Sequence, residues 1–138
     1  MRGIATALAA ACASCAPLSA NKPQFAQATP LCEAVMNEQK FAGQRVVVRG
    51  LLARSPHGRW IHSPECDRSA ELLGSSSGWD RRSRRVVKGA FANDPRASVP
   101  VVVSGIFVPW TRYENGQPII RAFGPAIDDA RVLAARQP

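Results

Sequence analysis

The chain holds few residues with the chemistry for catalysis. Its two histidines are His57, beside a turn glycine, and His62, followed by Cys66. A His57/His62/Cys66 zinc set is conceivable, but none of the three stands at CxxC or HxxxH spacing. One turn histidine and one sheet- or solvent-facing histidine is the plainer expectation. Serines are scattered, without a G-x-S-x-G setting for a nucleophile. Asp128 and Asp129 are adjacent, so on a strand they point in different directions, whereas acid/base hydrolysis needs two carboxylates converging on one cleft. No phosphate-binding glycine loop, dinucleotide fingerprint or HExxH pair is present. The expectation is a non-enzyme with no catalytic residue, no metal site and no cofactor.

The denser chemistry is cationic. Arg81, Arg82, Arg84, Arg85 and Lys88 stand beside Trp79, in a chain whose net charge of +8 comes from 18 basic against 10 acidic residues. Such a stripe suits phosphates, either of single-stranded nucleic acid stacked on aromatics such as Trp60 and Trp110 or of an anionic membrane surface. It also suits nothing more than the solvated face of an amphipathic helix, which is the plainer account. Nucleic acid is disfavoured, because the chain reads as exported and because a bias toward Arg and Ala is expected from GC-rich coding alone.

Export is read from the N-terminus. Arg2 precedes an uncharged stretch, residues 3–21, with an apolar run of Ile4, Ala5, Ala7, Leu8 and alanines, then small residues. That is the layout of a secretory signal, assigned to residues 1–20. A membrane-spanning helix needs about 20 strongly apolar residues, and this stretch is interrupted by Ser14, Pro17, Ser19 and Asn21. Leu18-Ser19-Ala20 suits a cleavage site. Small residues before Cys15 and before Cys12 also resemble a lipobox, which would make one of them the lipid-bearing first residue. A lipid-anchored periplasmic protein is preferred to a free one. Cys32 and Cys66 remain in the mature part, and an even pair in an oxidising compartment is most simply a disulfide, two separate buried thiols being the alternative.

The elements that position these residues follow from periodicity. Of 138 residues, 46% hydrophobic and 20% charged with mean hydropathy −0.12, the part after the signal suffices for one compact domain. Collagen, coiled coil and wholesale disorder are excluded by composition. Residues 21–29 read as a polar linker and 30–138 as the domain. Thr29-Pro30 opens a helix as N-cap and first turn, with Leu31, Ala34, Val35 and Phe41 on one face and Gly43 at its end. Residues 45–54 read as a strand with Gly50 at a bulge or coil, 59–63 as its hairpin partner and 70–73 as a third strand. Trp79, Ser83, Val86, Val87 and Ala90 recur at helical spacing through 80–92. Residues 99–108, with Gly105 inside, are the strongest strand; 119–123 are expected to pair back on them, and 125–135 form a last strand or short helix. This order fits a mainly β fold: an OB-fold-like five-stranded barrel with an N-terminal helix and a helix between strands 3 and 4. An α+β sandwich is the alternative.

Leu31-Cys32-Glu33, Phe41-Ala42-Gly43-Gln44, Val46-Val47-Val48-Arg49-Gly50 and Pro64-Glu65-Cys66 together resemble a group of small, uncharacterised bacterial exported proteins, often lipoproteins, with an OB-like barrel. The resemblance covers residues 31–73 and beyond them only strand order; Ser63 stands where the pattern has Asp before Pro. It implies that Cys32 and Cys66 meet and that the barrel is real, and it brings no catalytic residue. The function expected is a monomeric, non-catalytic envelope binding module, its partner an envelope protein or an anionic membrane surface.

Overall fold

A computed structural model describes residues 22–138; the signal-like segment, with Cys12 and Cys15, lies outside the described residues. Helix α1 (Lys22–Gln27) leads into a two-residue strand, β1 (Thr29–Pro30). The segment read as a linker is therefore folded onto the body. Phe25 and Ala28 are buried against Val102 and Ala134, and the Arg136 guanidinium lies 3.9 Å from the Phe25 ring centroid. One aromatic fastens an otherwise polar turn, because burying a Phe side chain is worth about 1.5–3 kcal/mol.

The next helix begins one residue later than its capping signal suggests. Thr29 and Pro30 pair in parallel with Val48 and Arg49, so Pro30 takes the N-cap position and no side chain caps the helix. The helix is also split, into α2 (Leu31–Met36) and α3 (Glu38–Phe41), at Asn37 with φ −122°. The Asn37 side chain donates to the Glu33 carbonyl at 2.8 Å, the acceptor that its own backbone N–H would use in a continuous helix. Leu31 and Ala34 are buried, with Val35 and Phe41 packed against the core.

Strands β2 (Arg45–Ser55), β3 (Gly58–Ser63) and β4 (Arg68–Leu72) form an antiparallel meander. Asp80 then caps helix α4 (Arg81–Asn93), its carboxylate accepting the Ser83 N–H at 2.8 Å. After it come β5 (Val99–Val108), a short hairpin of β6 (Thr111–Glu114) and β7 (Gln117–Ile120), and β8 (Ala126–Ala135). Here the sequence reading needs correction. Residues 119–123 do not pair back on β5; β6 and β7 pair only with each other, and β8 takes the place beside β5. The reason is burial. β5 is buried along nearly its whole length and needs an apolar neighbour, which β8 supplies through Ile127, Ala130, Val132 and Ala134, all buried, whereas β7 is exposed throughout. Asn115 (φ 51°) and Gly116 (φ 77°) turn the small hairpin back on itself in the left-handed conformations that tight hairpins favour.

The fold is mainly β, as expected. The main sheet has the order β1-β2-β3-β4-β8-β5, and β5 also pairs with β2, so the ladder leaving β2 through β3 returns to it. β4 and β8 run parallel. Two glycines allow the strands to curve. A Cβ at Gly50 would stand 2.7 Å from Ile61 Cγ1 and 2.9 Å from the His62 carbonyl oxygen; one at Gly105, beside a register shift between β5 and β8, would collide with Ile127 and stand 2.6 Å from the Asp128 carbonyl oxygen. Cys32 and Cys66 form a disulfide, with Cα atoms 6.0 Å apart, which ties α2 to the turn between β3 and β4.

Candidate anion-binding cleft

The site is built by letting one face of a strand pair run past the end of the core. On β2 and β3, Leu52 and Ile61 are cross-strand partners, both fully buried. Because side chains alternate with period two, the next positions on that face are Arg54 and Arg59, which are partners in the same ladder. Two cations therefore sit opposite each other where the apolar interior gives way to solvent, an arrangement that disfavours folding.

Helix α4 supplies the other wall. Val87 and Phe91 lie one turn apart on its buried face, with Trp79 packed beside them. Arg84 and Lys88, also one turn apart, form the exposed flank. The Trp79 indole is held by its N–H donating to the Ala130 carbonyl at 3.2 Å. Between the walls is an open cleft of about 480 Å³, with Arg54, Arg59, Arg84 and Lys88 around a floor of Trp79, Val87 and Phe91. The Arg54 guanidinium lies 5.3 Å from the Phe91 centroid and that of Arg59 4.8 Å from Trp79, distances at which a cation is attracted to the ring face. Arg59 also donates to the Gly74 carbonyl.

The electrostatics are one-sided. Among the described residues no carboxylate lines the cleft and none of its four cations is in an ion pair, the ion pairs being Arg45–Asp129, Arg131–Asp129, Arg112–Glu114 and Arg121–Glu71. Burial, with the neighbouring Arg54 charge adding to it, holds the Arg59 pKa below its ordinary value; a guanidinium nevertheless stays charged at neutral pH. The cleft is thus a cluster of positive donors, two of them seated on aromatic rings, suited to an oxyanion.

Of the cationic residues singled out in the sequence, Arg84 and Lys88 reach the cleft. Arg81, Arg82 and Arg85 are exposed and do not line it. Arg54 and Arg59 were missed, although a signal existed: the alternation Leu52-x-Arg54 and Arg59-x-Ile61 carries the inward face through the turn. The conceivable metal set is not assembled. Cys66 is bonded to Cys32 and offers no thiolate, His57 is exposed in the turn, and His62 Nε2 is 3.3 Å from Ser98 Oγ. Asp129 pairs with Arg45 at 3.3 Å and Arg131 at 3.7 Å. Trp60 and Trp110 lie outside the cleft, Trp60 edge-on to Phe123 and Trp110 donating to the Arg121 carbonyl at 2.9 Å. A second hollow, about 610 Å³, beside Met36 and Trp110 carries both signs of charge, from Glu38, Lys40 and Arg68. Among the described residues no helix is long and apolar enough to cross a membrane.

No protein-family model, curated protein or solved structure matches the chain.

Proposed function

We propose that the chain is an exported, non-catalytic binding module of the cell envelope, an OB-type barrel that meets an anionic membrane surface with its α4 side. The barrel reading is supported by the return of the strand ladder to β2 and by the parallel β4–β8 pair, with α4 joining β4 to β5 along the chain. The Cys32–Cys66 disulfide suits an oxidising compartment. The observation that carries the function is the cleft itself: four cations, no carboxylate and an aromatic floor on one side of the molecule. A lipid on Cys15 or Cys12 would add the second signal that firm membrane attachment needs, a single chain alone being marginal.

The test is sedimentation of the mature, non-lipidated, oxidised chain with vesicles of pure phosphatidylcholine and with vesicles containing phosphatidylglycerol. Binding to the anionic vesicles alone, falling steeply with salt, is expected. Equal binding to both, or tighter binding to an oligothymidylate than to either, overturns the reading. Intact mass of the exported protein with and without reductant checks the leader, the acyl chains and the disulfide together.

A further inference from the structure

We infer that the cleft between α4 and the β2–β3 turn is a stoichiometric site for the phosphate of a phospholipid headgroup, gripped by Arg54 and Arg59 from the strand wall and by Arg84 and Lys88 from the helix wall. The inference rests on the membrane-facing reading above and deepens it: a diffuse basic surface would need none of this construction.

Three observations point to a phosphate. The first is the cost already built in. Arg54 and Arg59 are cross-strand partners of like charge, and neither is relieved by an acidic neighbour. An anion between them removes a repulsion as well as adding an attraction. The second is geometry. The donors come from two facing walls, so a tetrahedral group, which offers oxygens in several directions, can satisfy both. A planar carboxylate presents a single edge and suits one guanidinium fork. The third is the floor. Trp79, Val87 and Phe91 are each about 6% exposed, and the Arg59 and Arg54 guanidinium groups lie over the Trp79 and Phe91 rings, so the floor holds two of the donors in place before a phosphate arrives. The cations on the rest of α4, Arg81, Arg82 and Arg85, are exposed outside the cleft and add long-range attraction without stoichiometry.

The experiment titrates the mature oxidised chain with dihexanoyl-phosphatidylglycerol below its micelle concentration, and separately with inorganic phosphate and with anionic vesicles. Saturable one-to-one binding of the soluble lipid is expected. The double variant R54Q/R59Q should weaken it about tenfold or more. R84A/K88A, which alters only exposed side chains, should weaken it several-fold and keeps the test valid if the strand variant fails to fold. R81A/R82A/R85A should leave soluble-lipid affinity within about twofold while lowering vesicle binding and its salt slope. R54Q alone should raise the unliganded melting temperature while weakening the lipid, a split that a purely structural arginine would not give. Inorganic phosphate bound as tightly as the lipid makes this a free-phosphate site and overturns the assignment to lipid. Soluble-lipid binding unaffected by both cleft variants overturns the site while leaving the membrane-facing reading intact, provided vesicles still bind. A wild-type chain that binds neither soluble lipid nor anionic vesicles overturns both.

Discussion

Replacing Cys32 and Cys66 together by alanine removes the covalent tie between α2 and the β3–β4 turn. The bond closes a loop with a sequence separation of 34. In the chain-entropy treatment, that restricts the unfolded ensemble by 2.1 + 1.5R ln 34, about 12.6 cal/mol/K, or about 3.8 kcal/mol at 25 °C. Both cysteines are half-buried, so alanine leaves no closed void and the chain term dominates. Against a total of about 5–15 kcal/mol for a domain of this size, a loss of that scale is severe. Urea unfolding followed by tryptophan fluorescence reads it directly: with a slope of about 2 kcal/mol/M, the midpoint should drop by about 2 M. Wild type in reductant should move onto the double variant, and the variant should ignore reductant. A double variant within about 1 kcal/mol of the oxidised wild type, or one that still responds to reductant, refutes the reasoning.

Further substitutions test the strand curvature and the α4 cap. Gly105→Ala places its Cβ against the Asp128 backbone carbonyl, which cannot give way as a side-chain end can, and should cost about 1–3 kcal/mol or more; Gly89→Ala, in exposed α4 with nothing within 4 Å, should instead stabilise by about 0.5–1 kcal/mol, both read by denaturant midpoint. Asp80→Ala removes the α4 cap and should cost about 1 kcal/mol at neutral pH. The Ser83 N–H holds the Asp80 pKa below the ordinary carboxylate value, so its contribution is complete above the unfolded-state pKa of about 3.9 and is lost as pH falls through the folded one. Asp80→Asn, which keeps the cap but cannot titrate, should therefore match wild type at pH 7 and show a flatter acid limb; an identical acid limb would count against the assignment.

Strand identity and the α4 face were legible because burial imposed a period. Val46, Val48 and Leu52 are all buried on β2, as are Val87, Ala90 and Phe91 on α4, and apolar residues at those spacings stand out in the sequence. Partner choice was not legible. Ile119 and Ile120 look as strand-like as Val132, and only the demand of buried β5 for an apolar neighbour decides between them. The N-terminal helix boundaries misled for a different reason: the capping logic of Thr29 lost to ladder pairing with Val48, and the Asn37 side chain competed for a backbone acceptor. The cleft was half legible. Arg84 and Lys88 were visible as part of a charge run, but Arg54 and Arg59 are brought opposite each other by register, which charge density does not report.

The contact between Arg136 and Phe25 has an architectural consequence. It places α1 and the residue that follows β8 side by side, next to Val102 and Ala134. A short bridge joining residue 24 to residue 137, with fresh termini opened at the solvent-facing Asn115–Gly116 turn, would keep every pairing of the main sheet. Such a circular permutation of residues 24–137 would present its ends from the small hairpin, so these residues could be suspended from a surface by the pole opposite the Phe25 edge.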